Sequence, residues 1–230
     1  VNDGVSLAAV SGQRPAQIDE LLNVDFSNGL GGFQLNNSYG IGGGQWHVST
    51  LRSDTPGHSP NRSLYFGARD GSGYADDAEG VAASPSIDLR GVQGQIELSF
   101  NYLLDVEEFL DVASVEVVTS QGVDTIADNS LLGNLLNTAG EFRSLSLDLT
   151  AYVGQRVSVR FHFVSDFVVA YEGWFVDDVV VRQIRPPAAD VYRVDLTAGA
   201  LFSIALAAQN GPTGQDLELL DATGQKLAVG

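Results

Sequence analysis

Ile96-Glu97-Leu98-Ser99-Phe100-Asn101-Tyr102 alternates apolar and polar residues without a break, and Val157-Ser158-Val159-Arg160-Phe161-His162-Phe163 repeats the pattern further along. A period of two puts one set of side chains on one face of a pleated strand, so each segment reads as an antiparallel strand with one face on a core and the other in water. Val179-Val180-Val181 is apolar on both faces and suits a covered strand. Working outward, short alternating runs bounded by turn residues predict strands at 21–26, 32–36, 45–50, 63–68, 81–89, 95–104, 114–119, 142–149, 156–164 and 173–183. The expected fold class is all-β, an antiparallel sandwich with a partial second β-unit at the C-terminus.

One stretch, 15–22 (PAQIDELL), has Pro early and acidic residues inside and reads as a short helix within a leader that runs to residue 22. Pro186-Pro187 removes consecutive ladder donors and forces extended backbone, so a boundary is expected at 185–189. Beyond it, about four strands are expected at 190–196, 201–207, 217–221 and 227–229. Forty residues with so small a core rarely fold alone, so 190–230 reads as the front of an incomplete domain.

Twelve Lys and Arg stand against 29 Asp and Glu, a net charge of −17 that repels phosphate backbones and anionic lipid. Nucleic acid and membrane surfaces are therefore poor expectations, and membrane insertion is another because no stretch approaches 18 uninterrupted apolar residues, whereas hard divalent cations, calcium first, are good ones. The chain has no Cys, which excludes disulfides, thiolate metal sites and a cysteine nucleophile, and its three His argue against a histidine-rich centre. It also has no Met, so the sequence reads as a processed or excised piece. The GxSxG, HExxH and phosphate-binding glycine patterns do not occur, and no catalytic residues are assigned.

Seven pieces of sequence occur in a familiar order: Val24-Asp25-Phe26-Ser27-Asn28-Gly29-Leu30, Trp46, Ser63-Leu64-Tyr65-Phe66-Gly67, Ala83-Ser84-Pro85-Ser86-Ile87-Asp88-Leu89, Leu98 to Tyr102, Leu147-Asp148-Leu149-Thr150-Ala151-Tyr152, and Gly173-Trp174-Phe175-Val176-Asp177-Asp178-Val179. In this order they resemble the MAM-like jelly-roll modules, particularly those accompanying immune-inhibitor-A-type metalloproteases in bacterial secreted proteins. Animal MAM domains carry disulfides, so the Cys-free chain is more similar to the bacterial branch. The tail, from Asp190-Val191-Tyr192 to Asp221-Ala222-Thr223-Gly224, resembles the start of a bacterial pre-peptidase C-terminal domain. The resemblances imply a jelly-roll sandwich over 23–184 and a non-catalytic accessory or adhesion module, extracellular or at the cell surface, that binds glycan or protein. A plain spacer positioning a neighbouring enzyme is the alternative.

Two candidate sites follow. Asp177-Asp178 places consecutive carboxylates inside a strand, where propensity and mutual repulsion disfavour them. The resemblance aligns Asp25 and Asp178 with positions that close the first and last strands around a calcium ion, with Asp54 as a third carboxylate and Asp177 as the alternative to Asp178; turn-capping carboxylates are the competing reading. Trp46, Tyr65, Tyr102 and Trp174 can form a sugar-stacking platform or lie in the core. Asp70 to Asp77 fails as an EF-hand, because Val81 stands where a bidentate Glu is needed. Asp105, Glu107, Glu108 and Asp111 read as a solvated loop rim.

Overall fold

The alternation in 95–105 and 156–164 decides the layering. In β7 (Gln95–Asp105) Ile96, Leu98, Phe100, Tyr102 and Leu104 are buried, and in β11 (Arg156–Val164) so are Val157, Val159, Phe161 and Phe163. The computed structural model describes residues 16–38 and 45–185, together with the backbone of Glu218–Leu220 and Lys226–Val229. Twelve strands of the larger unit form two six-stranded antiparallel sheets, an all-β jelly-roll sandwich.

The first sheet runs in the order β10 (Arg143–Asp148), β7, β12 (Gly173–Arg185), β4 (Ser63–Gly67) and β3 (Gln45–Ser49), with β1 (Gln17–Val24) also paired to β12. The second runs β2 (Gln34–Ser38), β5 (Glu79–Ala83), β11, β8 (Val112–Val118) and β9 (Val123–Asp128), with β6 (Ile87–Asp88) also on β11. Their inner faces meet through aromatic pairs: Phe66 and Phe163 at 4.6 Å, Phe100 and Phe161 at 5.2 Å, Trp174 and Phe161 at 5.6 Å. The last two pairs meet edge to face and the first is tilted, contacts that add to the area burial driving the packing.

The helix expected at 15–22 is absent from the described part of that stretch. Residues 17–24 instead pair along β12 from Gln17 with Arg185 to Val24 with Val179, so the sandwich begins before residue 23 and 17–22 are not a leader. Leu21 and Leu22 pack against the core from this strand, and that tertiary pairing outweighs the local helix preference. The expected strand 81–89 is two strands, β5 and β6, separated at Pro85, which cannot donate to a ladder. β9, edge strand of the second sheet, was not expected from the sequence. In the smaller unit β13 (Glu218–Leu220) pairs antiparallel with β14 (Lys226–Val229). The expected strands at 190–196 and 201–207 and the Pro186-Pro187 break lie outside the described residues.

Along one side of β12 the partner changes. β4 pairs with Trp174 to Val176, β1 pairs from Val179 onward, and the register against β7 slips between Asp177 and Val180. Asp178 sits at this bulge with φ +50°, a conformation that Asp and Asn tolerate better than most residues. The change of partner accounts for a carboxylate pair in the middle of a strand.

Candidate functional site

The four proposed platform aromatics lie in the core. Trp46 and Trp174 are packed against each other at 5.4 Å between the sheets, and Tyr102 lies in the same cluster. Tyr65 is buried on the outer face of the first sheet, stacked on Phe175 at 4.0 Å, with its hydroxyl donating to the Glu172 carbonyl. With 0–4% of their surface exposed, none of the four can stack on a sugar.

The carboxylates assigned to calcium lie along the β1–β12 seam and the 50–62 loop that covers it. Asp25 is exposed and accepts the Ser27 N–H at 3.0 Å, a turn cap. Asp54, also exposed, lines a shallow depression with Ser27, Ser53, Asn61 and Arg62. Asp177 is fully buried under the 50–62 loop, and burial raises its carboxyl above the ordinary value against the opposing His58 hydrogen bond. Its oxygens accept from His58 Nδ1 at 2.8 Å, Ser59 Oγ at 3.1 Å and the Asp178 N–H at 2.8 Å. Asp178 Oδ2 accepts the Ser59 N–H and Asn101 Nδ2, both at 2.8 Å. Asp177 and Asp178 thus tie the covering loop to β12, and no three of Asp25, Asp54, Asp177 and Asp178 bring ligand atoms within 4.8 Å of one another.

Convergent carboxylates occur instead in the loops that follow β7 and precede β12. Among the described residues, Glu107, Asp111 and Asp166 are the one group whose ligand atoms all lie within 4.8 Å of one another, and they can hold a metal ion. Asp111, 1% exposed, accepts the Asp166 N–H at 2.8 Å and the Tyr74 hydroxyl, while the Glu107 N–H lies 3.1 Å from the Tyr74 oxygen. Glu107 Oε2 is buried without a hydrogen-bond partner. Desolvation first, then the neighbouring carboxylates, raises both the Glu107 and Asp111 carboxyls. A proton or a cation between the acids would relieve their repulsion. The sequence reading placed Glu107 and Asp111 on a solvated rim and passed over Tyr74 and Asp166, which only folding brings beside them.

The same end carries the exposed apolar surface. Nine of the thirteen large apolar side chains that are exposed among the described residues lie in three loops, 106–111, 129–142 and 165–172. Leu132 is 95% exposed, Leu131 78%, Phe167 71% and Phe109 64%. Hydrogen bonds bind these loops together: Asp166 N–H to Asp111, Asn129 Nδ2 to the Asp111 carbonyl at 2.9 Å, and Asn137 Nδ2 to the Val106 carbonyl at 2.8 Å. The 68–78 loop joins them through the Tyr74 N–H and the Tyr171 carbonyl at 3.2 Å. Phe109 and Val169 hold φ of +70° and +63°, costly for bulky and β-branched residues. A sequence signal did exist, since Leu131-Leu132 and Phe167-Val168-Val169 are apolar runs outside any alternating segment.

Close approach at Gly73 holds this end together. Its φ is +98°, and a Cβ there would lie 2.1 Å from the Tyr171 carbonyl oxygen. Gly73→Ala is expected to cost about 1–3 kcal/mol in urea unfolding through strain and lost loop contact. An unchanged midpoint would show that the loops are not held at this distance.

No family model matches the chain. Bacillopeptidase F of Bacillus subtilis (strain 168) is 27% identical over 160 residues, which cover 68% of this chain and 10% of that protein. The chain therefore spans about a tenth of the length of the curated relative it matches. Among solved structures, the K1 cleaved adhesin domain of the Lys-gingipain of Porphyromonas gingivalis W83 is 17% identical, with a TM-score of 0.48 over 70% of this chain and 96% of that one. The K3 domain of the same protein is 17% identical, with a TM-score of 0.46 over 72% and 99%.

Proposed function

We propose that the sandwich is a non-catalytic accessory or adhesion module of a longer secreted or cell-surface bacterial protein, and that its loop end is the face that binds a protein partner. The observation that carries this reading is the gathering of nine of thirteen exposed large apolar side chains onto three mutually bonded loops. Isolated exposed apolar residues are ordinary on a surface, but a gathered set marks a contact site. Similarity to a stretch of Bacillopeptidase F supports a place within a larger chain. The ordered motif pieces support the MAM-like assignment of the sandwich and the pre-peptidase C-terminal-like assignment of the tail. Burial of Trp46, Tyr65, Tyr102 and Trp174 favours protein over glycan as the ligand.

The test sets the immobilised chain against a glycan array and a peptide display library, beside a Leu132→Ser/Phe167→Ser variant. Peptide ligands whose retention falls at least about tenfold on the variant are expected, a loss of roughly 1.4 kcal/mol. A glycan hit retained by the variant contradicts the reading, and an inert surface in both libraries leaves the spacer role instead.

Calcium belongs at Glu107, Asp111 and Asp166, where three carboxylates and the unpartnered Glu107 oxygen suit an oxygen-preferring divalent ion. Bound there it offsets repulsion among the acids and ties the 106–111 loop to the 165–172 loop. A ligand at about a hundredfold excess over Kd adds about 2.7 kcal/mol. For a unit of this size the melting midpoint should accordingly rise by roughly 5–10 °C between EDTA and calcium. Asp111→Asn should abolish the difference.

The pH dependence has a definite sign. A carboxyl raised in the folded state contributes stability while it is protonated, below its unfolded value, and that contribution is lost as pH rises through the folded value. The metal-free cluster thus gains from acidification, and the calcium increment should grow as pH rises from the ordinary carboxylate range to neutrality and proton competition fades. A wild-type midpoint indifferent to EDTA at neutral pH removes calcium from this cluster.

A further inference from the structure

The exposed apolar side chains of the loop end stand in an acidic frame. The loops 68–78, 106–111, 129–142 and 165–172 together carry nine carboxylates and one basic residue, Arg69; of the nine, Asp111 is buried and Glu172 is paired with Arg52 of the 50–62 loop, which leaves seven acids in the frame. Leu131, Leu132, Phe167 and Phe109 project from these loops, and the strained backbone at Phe109 and Val169 keeps apolar side chains at the loop tips at a cost in stability. A surface that is apolar at its points and anionic between them complements a ligand with the reverse charge and the same apolar character.

Building on the proposed adhesion role, we infer that the loop end binds a cationic amphipathic polypeptide segment, in which Leu- or Phe-type side chains contact the loop tips and Lys or Arg side chains pair with the surrounding carboxylates. Other occupants fit the charge poorly. An anionic lipid surface meets repulsion from a frame that stays negative after Arg69, the Arg52–Glu172 pair and the buried Asp111 are counted. A second copy would bring two such ends, and two chains of net charge −17, face to face. The chain's own residues 187–230 offer Arg193 and Lys226 against Asp190, Asp195, Asp216, Glu218 and Asp221, so that stretch is acidic too. One bound divalent cation would cancel two of the charges and leave the sign of the frame unchanged.

The experiment uses the full chain and a labelled peptide of about 14 residues, amphipathic and built from Leu, Phe and Lys, beside analogues with every Lys replaced by Ser or by Glu. Binding is read by fluorescence anisotropy at low and high salt on wild type, on Leu132→Ser/Phe167→Ser, and on Phe109→Gly/Val169→Gly. None of these substitutions changes the net charge, so diffuse attraction to an acidic protein is equal for all three. The glycine pair removes two exposed apolar side chains while relieving two left-handed backbone positions, so it should melt no lower than wild type.

The expected result is at least about tenfold tighter binding of the Lys peptide than of the Ser peptide, lost on both variants and weakened by salt. Equal binding of the Lys and Ser peptides, lost on the variants, would overturn the cationic class while leaving the adhesion face standing. Lys-peptide binding unchanged on the variants would overturn the face itself. Capture by anionic vesicles, or concentration-dependent dimerisation that the variants abolish, would assign the surface to lipid or to a second copy and overturn the inference.

Discussion

Trp174→Ala should destabilise the sandwich by about 3–5 kcal/mol, the range for removing a large aromatic from a packed core. Trp174 is completely buried, lies on β12 between β4 and β7, and packs on Trp46 at 5.4 Å and Phe161 at 5.6 Å. Removing it opens a void at the meeting of both sheets, where close packing leaves little room to collapse. Its indole nitrogen has no hydrogen-bond partner, so Trp174→Phe should cost far less than the alanine change. Denaturant unfolding of both variants checks the pair of values. A Trp174→Ala protein as stable as wild type would return Trp174 to the surface, as a sugar-stacking role requires.

Asp177→Ala should cost a comparable amount, about 3–5 kcal/mol, because it strands a buried partner. His58 is 1% exposed on its side chain and stacks on Phe142 at 3.9 Å. Its Nε2 lies 3.0 Å from the Arg52 carbonyl, which can only accept, so Nε2 is the donor there. The remaining bond, from Nδ1 to Asp177 at 2.8 Å, then shares one proton between a buried imidazole and a buried carboxyl. Removing the carboxyl leaves that ring, and the Ser59 hydroxyl, without their partner beneath the covering loop. Asp178→Asn should cost under about 1 kcal/mol, since Asn tolerates the left-handed backbone and keeps an acceptor for the Ser59 N–H. The reverse order of the two effects, with a calcium-dependent loss at Asp178, would restore the metal expected between Asp25 and Asp178.

The strands were legible wherever one face is wet. β7 and β11 alternate because their outer side chains meet solvent, and that asymmetry is written at period two. β1 was misread because Gln17 to Leu22 owes its form to pairing with β12, a partner more than a hundred residues away. Burial of Tyr65 was equally hidden, since it depends on the 50–62 loop folding over the outer face of the first sheet beside Phe142. The acidic cluster could be seen only in part, because Asp111 and Asp166 stand on different loops and a hydrogen bond through space brings them together. Apolar runs in the loops were visible, yet period-two reading discards residues that belong to no strand.

Hydroxyl-radical footprinting resolved to single side chains tests the loop-end assignment most directly, because it compares the two sets of candidate ligand-binding residues in one experiment. The structure predicts strong labelling of Phe109, Leu131, Leu132 and Phe167, and protection of Trp46, Tyr65, Tyr102 and Trp174 until the protein unfolds. Labelling of the two tryptophans in the native state, with Phe109 and Phe167 protected, would contradict it.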